Sequence, residues 1–367
     1  MDVTGGRKKK IFGEKFLKNL MLKYNDMMKK EFSGKSIIIA VPDHFGLPER
    51  FKDNLEALGF NVLVIPDTVK VKIGILNTII HAYKKIFLGD KTFKNRKKAE
   101  RKLEIQILTL NNYNLKSYDY ALVIRPDLFS SELISEVKKR ANLISAYQWD
   151  GLDRFPLVYE RIDSFDRFFV FDVNDLEKNT RLLPLTNFYF DDIKLRDKKF
   201  DVYFVGTYMR NRIDLLIKLA RKFQDMGLKT SLNLNTNSKD KAKKFINEPI
   251  TIIDKPMLFK DNVINVSQSE VILDFANDIH YGISMRTFEA IGYRKKLITN
   301  NPLVKKYDFY NPNNIFVIED DNIDGLELFI STPYIDLPKE IIVKYSFTNW
   351  LKYVLDIHPY LPINLQS

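Results

Sequence analysis

The sequence predicts an α/β protein built from two Rossmann-like halves, and three observations carry that expectation. Short apolar, β-branched runs alternate with amphipathic helical stretches, the pattern of a parallel sheet with helices on both faces. The series also starts twice, at Ser36-Ile-Ile-Ile-Ala-Val41 and again at Phe200-Asp-Val-Tyr-Phe-Val205. At 367 residues the chain is long for one hydrophobic core and suits two.

The first strand ends in Pro42-Asp43-His44-Phe45-Gly46; a helix over 48–58 is stopped by Gly59, and a strand over 60–65 completes a βαβ unit. The segment 69–108 reads as two basic helices broken near Gly89, an insertion in an N-terminal domain spanning 1–183. Strands over 118–124, 142–147 and 166–171, with a helix over 130–140, fill the rest of that domain. Residues 184–199 are polar, show no clear element and read as a linker. The second domain, 200–344, continues from its opening strand into a helix over 211–226, strands over 229–234 and 250–253, and a helix over 258–267. A strand over 271–275, a helix over 284–291 ended by Gly292, and a strand over 296–299 follow. Residues 345–367 are a C-terminal helix containing Trp350 and a tail.

Composition excludes several chemistries. The chain has no cysteine, so disulfides, thiolate zinc sites, iron–sulfur clusters and thiol catalysis are ruled out. With four histidines (His44, His81, His280, His358) a histidine-built metal site is not expected, and neither is a cofactor. No apolar stretch approaches the ~18–20 residues that span a bilayer, and the charged start lacks a signal-peptide core. A cytoplasmic location is expected. The net charge of +11 is concentrated. Between residues 69 and 104 lie Lys70, Lys72, Lys84, Lys85, Lys91, Lys94, Arg96, Lys97, Lys98, Arg101 and Lys102, opposed by Asp90, Glu100 and Glu104. Residues 7–35 are also basic, with Ile11, Phe12, Phe16, Leu20, Leu22, Met27 and Met28 at helical spacing. Such patches attract anionic surfaces, lipid or nucleic acid; the alternative is a solvated helix face. In the first patch Ile73, Ile75, Leu76, Ile79, Ile80, Ile86 and Phe87 either enter a membrane interface or pack on the N-terminal sheet. Tyr83, Phe87 and Phe93 are few aromatics for base stacking, and no nucleic-acid motif occurs, so nucleic acid is not the expected partner.

Three segments carry candidate chemistry. In Asp274–Gly292 an apolar strand leads through a glycine loop into a helix opening at Ser284. A helix N-terminus presents unpaired N–H groups and partial positive charge to a phosphate. Ser284 is a candidate cap, Thr287 lies in the first turn, Arg286 can hold two phosphate oxygens, and Glu289 can accept from a ribose diol. The plainer alternative is a capped surface helix with an Arg286–Glu289 pair. The second segment, Gly206-Thr207-Tyr208-Met209-Arg210-Asn211-Arg212, follows the opening strand of the second domain, where ligands of open α/β sheets bind. Gly206 and Thr207 allow a close phosphate approach, and Arg210 and Arg212 add charge. The third, Gln148-Trp149-Asp150-Gly151-Leu152-Asp153, offers Asp150 and Asp153 as general-base candidates, with His44 as the other; a loop cap or a polar loop residue is the plainer alternative for each.

The motifs Tyr147-Gln-Trp-Asp-Gly151, Phe200-Asp-Val-Tyr-Phe-Val-Gly-Thr207, Met285-Arg-Thr-Phe-Glu-Ala-Ile-Gly292 and Lys295-Lys-Leu-Ile-Thr-Asn-Asn301, continued by Tyr307–Phe316, resemble bacterial GT-B glycosyltransferases of lipopolysaccharide and capsule biosynthesis. The resemblance covers roughly residues 140–355. It implies two Rossmann domains facing each other across a cleft, a nucleotide-sugar donor held mostly by the C-terminal one, and no obligatory metal. It casts Glu289 as the ribose-binding glutamate. A second glutamate common in the retaining branch falls on Tyr281, so that pattern is incomplete here.

The expected function is therefore transfer of a sugar from a nucleotide-sugar to a glycan or lipid-linked glycan of a bacterial surface. Arg210, Arg212, Arg286 and the helix start at Ser284 would stabilise the departing phosphate; Asp150 or His44 would deprotonate the acceptor. The competing readings are a nucleic-acid-binding protein using segment 69–104 and a catalytically inactive nucleotide- or sugar-binding scaffold.

Overall fold

The computed structural model describes residues 32–69, 71, 74–113, 115–276 and 282–366. Residues 7–31 of the first basic stretch, and Lys70, Lys72, Ile73, His280 and Tyr281, lie outside them.

The N-terminal sheet is formed by β1 (Ser36–Val41), β2 (Asn61–Pro66), β3 (Tyr118–Ile124), β4 (Ala141–Gln148), β5 (Arg167–Val170) and β6 (Leu182–Pro184). All pairs are parallel, in the order β2-β1-β3-β4-β5-β6. The helices are α1 (Leu47–Leu58), α2 (Ile75–Phe87), α3 (Phe93–Asn112) and α4 (Ser131–Lys138). Only short 3-10 turns join β4, β5 and β6. β1 shows why its run of β-branched residues is a central strand. Ile37, Ile39 and Val41 pack on one face with Phe51 and Leu55 of α1. Ile38 and Ala40 pack on the other with Leu110 of α3 and Leu133 of α4.

The second sheet contains β7 (Phe200–Thr207), β8 (Thr230–Asn235), β9 (Thr251–Ile253), β10 (Ser269–Asp274), β11 (Lys296–Thr299) and β12 (Ile315–Val317). It is also parallel throughout, in the order β12-β11-β10-β7-β8-β9, the doubly wound Rossmann arrangement. Its helices are α5 (Ile213–Asp225), α6 (Lys239–Lys244), α7 (Phe259–Ser267), α8 (Met285–Gly292), α9 (Leu326–Ser331) and α10 (Lys339–Lys344), and α11 (Phe347–Val354) follows them.

Two segments differ from the sequence expectation. Residues 184–199 are not uniformly polar: Leu185, Phe188, Tyr189 and Phe190 are buried. The last helix is no appendage. Phe347, Trp350, Leu351 and Val354 lie in the N-terminal core with Ile37, Phe51 and Tyr147. Trp350 Nε1 donates to the Thr186 carbonyl at 3.0 Å, and Ser145 Oγ donates to the Val354 carbonyl at 2.8 Å. An apolar stripe forecasts burial but not the partner, so periodicity places a helix here without saying which core receives it. The outgoing and returning segments pair side by side through Tyr189 N to Tyr345 O (3.1 Å) and Phe347 N to Tyr189 O (2.8 Å).

Among the described residues no helix is long and apolar enough to cross a membrane.

Candidate functional site

In the C-terminal domain the chain runs outward from β7 in one direction and from β10 in the other, leaving a crevice at their carboxyl ends. Gly206 and Thr207 end β7 and Asp274 ends β10. α8 begins just beyond, with Ser284 as its cap: Ser284 Oγ accepts from Arg286 N at 3.2 Å and donates to Asp274 Oδ2 at 2.7 Å. Arg286 reaches across, donating Nη2 to the Val205 carbonyl and placing Nη1 3.6 Å from Asp274 Oδ1. Arg212 turns back over the same loop, with Nη2 2.9 Å from the Thr207 carbonyl. Arg210 and Thr207 are exposed beside it.

The crevice is charged and poorly satisfied. Burial raises the pKa of Asp274, and Arg286 opposes that rise. Glu289 is also buried; desolvation pushes its pKa up to about 7, against the pull of Arg286 and of Arg50 from α1. Glu289 Oε2, Thr287 Oγ1 and Arg286 Nε are buried with no hydrogen-bond partner. Each such group costs about 1–3 kcal/mol of desolvation, and three within one helical turn mark a place where another molecule's polar atoms fit.

Across the cleft, His44 follows β1 and its ring stacks on Trp149, with centroids 6.2 Å apart. Asp150 comes next in the chain, but both its oxygens are engaged: Oδ2 accepts from Arg125 Nη1 and Oδ1 from Arg154 Nη1, the latter at 3.2 Å. Arg125 is itself buried, forks onto Asp127 at 2.7 Å through Nε and Nη2, and lies 4.0 Å over Phe155. Asp153 is exposed and bound to Lys178 (2.8 Å) and Tyr159 (2.7 Å), which hold its pKa below the usual carboxylate range.

The two half-sites are joined by a short relay. Tyr147 Oη donates to Asn187 Oδ1 at 3.0 Å, and Asn187 Nδ2 donates to the Ile283 carbonyl at 2.8 Å, one residue before the cap of α8. Phe259 N donates to the Phe45 carbonyl at 2.7 Å, beside His44.

The structure thus gathers Gly206, Thr207, Arg212, Ser284, Arg286, Thr287 and Glu289 around Asp274, sets His44 against Trp149, and directs Asp153 to Lys178. Sequence reasoning did not select Asp274 or Arg50. Asp274 was signalled by a carboxylate ending an apolar strand; Arg50 carried no local signal, because its place depends on how α1 meets the other domain.

No family model and no curated protein matches the sequence. Among solved structures the chain is similar to a trehalose-6-phosphate synthase, OtsA, at 11% identity, covering 90% of this chain and 100% of that one, with a TM-score of 0.53. It is also similar to the apo form of the lipopolysaccharide outer core galactosyltransferase WaaB, at 14% identity, covering 87% of this chain and 97% of that one, with a TM-score of 0.50. At such identities the likeness speaks for the fold. With two parallel six-stranded domains meeting across a cleft, the chain has the GT-B fold of glycosyltransferases.

Proposed function

We propose that this chain is a glycosyltransferase that moves a sugar from a nucleotide-sugar to a hydroxyl of a glycan acceptor. The observation that carries the reading is the α8 crevice, where Arg286, Ser284 and the buried, unpartnered Thr287 Oγ1 and Glu289 Oε2 surround the carboxyl end of β10. Phosphate oxygens complete the donors there, and a ribose diol donates to Glu289 Oε2. In the reaction the bond from the donor's anomeric carbon to the phosphate oxygen breaks and the acceptor oxygen bonds to that carbon. The leaving phosphate keeps the electron pair beside the guanidinium groups and the helix start.

The acceptor's proton goes to a base on the N-terminal side. A proton taken up by Asp150 has to displace one of two guanidinium groups, whereas His44 stands on Trp149 beside the cleft, so His44 is the base we assign. A bacterial surface glycan, of lipopolysaccharide or capsule, is the acceptor class we propose, supported by the sequence motifs and by the likeness to WaaB. The arginines supply the phosphate's counter-charge, so turnover is expected to survive chelation.

The test is a thermal-shift series with UDP-, GDP-, CMP- and dTDP-sugars, followed by donor hydrolysis without acceptor. Stabilisation by one nucleotide class together with slow hydrolysis supports an enzyme. Stabilisation without hydrolysis or transfer to any glycan makes the chain a binding scaffold, and no stabilisation by any donor removes the site assignment.

A further inference from the structure

The insertion carries a surface that the proposed reaction does not use. Within it α3 supplies the core contact: Leu110 is buried, Leu103 and Ile107 pack beside it, and Gln106 Nε2 donates to the Pro66 carbonyl at 2.8 Å. α2 meets α3 through the side that carries His81 and Lys84. His81 stacks on Phe93 at 6.5 Å, and Lys84 Nζ sits 4.5 Å from the same ring. At about 100° per residue, Ile79, Tyr83, Ile86 and Phe87 fall on the other side of the helix. They are 61%, 56%, 72% and 70% exposed, and Leu88, just past the helix end, is 64% exposed. The sequence left open whether Ile79, Ile86 and Phe87 pack on the sheet; the structure turns these three outward and leaves Ile80 half-buried.

A contiguous apolar row of this size on a surface marks a contact with something else. Its rim identifies the partner. Lys85, Lys91, Lys94 and Lys98 are exposed on the same hairpin, and Arg101 pairs with Glu104 at 2.6 Å. The acidic Asp90 is already paired with Arg96 at 2.7 Å. A second copy of the chain would bring one lysine rim against another, while an anionic bilayer satisfies both features.

We propose that α2 lies in the interface of an anionic membrane, with Ile79, Tyr83, Ile86, Phe87 and Leu88 among the acyl chains and the surrounding lysines at the headgroup phosphates. The hairpin is anchored at the carboxyl end of β2, where Lys102 pairs with Asp67 at 2.8 Å, next to the end of β1 that leads to His44. Access of a lipid-borne acceptor to His44 rests on the glycosyltransferase reading; the docking itself does not.

The experiment is flotation of the full-length protein with phosphatidylglycerol-containing and with pure phosphatidylcholine vesicles, in the absence of donor and acceptor. Binding is expected only to the anionic vesicles and is expected to weaken as salt shortens the screening length. The Ile86→Asp/Phe87→Asp double variant should partition about tenfold more weakly or worse, the fold-change for losing one buried large apolar side chain. Substituting Lys85, Lys91, Lys94 and Lys98 by glutamine should act in the same direction. All these side chains are exposed, so unchanged thermal melts verify the fold. No binding to anionic vesicles at low salt, binding undiminished in the aspartate variant, or a dimer that this variant dissolves overturns the proposal. Because no sugar chemistry is involved, failure here leaves the catalytic reading standing, and the reverse also holds.

Discussion

The ring of Phe171, just past β5 in the N-terminal domain, covers Gly282 of the C-terminal domain so closely that a Cβ on the glycine would stand 1.8 Å from it. The two residues form a contact between domains immediately before Ile283 and the cap of α8. Gly282→Ala should therefore push the domains apart. We expect a stability loss of about 1–3 kcal/mol, the usual scale of overpacking, together with weaker donor binding as α8 shifts. Denaturant melts and nucleotide titration check it; a variant with the wild-type melt and affinity refutes the contact.

Glu289 gives the fold a pH dependence of defined sign. Its carboxyl titrates near 4.5 in the unfolded chain and at about 7 in the fold. Between those values the unfolded chain releases the proton and the folded one retains it. The Glu289 contribution is therefore most favourable below about pH 4.5, falls as pH rises towards 7, and levels off above. At ~1.4 kcal/mol per pKa unit the change amounts to about 3 kcal/mol. Glu289→Gln should match the wild type in acid, exceed it in stability at pH 8, and bind the nucleotide more weakly. Urea melts across this range test the idea, which fails if the two proteins run parallel.

Arg286→Ala should cost about 1.5–3 kcal/mol of nucleotide affinity, the scale of a hydrogen bond to a charged group. Calorimetric titration measures it directly. Arg286→Lys keeps a counter-charge for Asp274 but loses the fork, so its affinity should lie between the two. Equal affinity in a folded Arg286→Ala protein would place the phosphate elsewhere.

His44 and Asp150 are separable by kinetics. His44→Gln should lower turnover by ~10²–10⁴-fold, the span of general-base catalysis, and leave the donor affinity unchanged. Asp150→Asn weakens the ion pairs with buried Arg125 and with Arg154, so it should lower stability as well as rate. If the losses are exchanged, with turnover lost at Asp150 and stability unaffected, the base is the carboxylate.

Much of this architecture is legible in the chain. β1, β7 and β10 announce themselves as β-branched or aromatic runs because a parallel strand buried on both faces needs no alternation. The α8 start is equally visible: Ser284 is the expected cap, and Arg286 follows where a phosphate would sit. What stayed hidden depends on assembly. Gly292 looked like a helix stop, yet it is the last residue of α8, and its lack of a side chain makes room for the Tyr189 ring, 2.2 Å from where a Cβ would be. For Glu289 the sequence left a ribose contact and a surface ion pair with Arg286 both open, and its burial is visible only in the fold. β12 and α9 are too short to impose a period.

The double crossing between the domains sets the order in which the chain can mature. Phe51, Phe188 and Phe190 complete their cluster only with Phe347 and Trp350. At ~5–20 residues per second of synthesis, roughly 10–30 s separate the emergence of these two groups from a ribosome. Throughout that interval the first domain carries a sheet face without its final helix, whereas the strands of the second domain follow one another between residues 200 and 317 and await no later strand. The half that is made first is therefore finished last, and the newborn chain depends on whatever shields that apolar face until α11 has emerged.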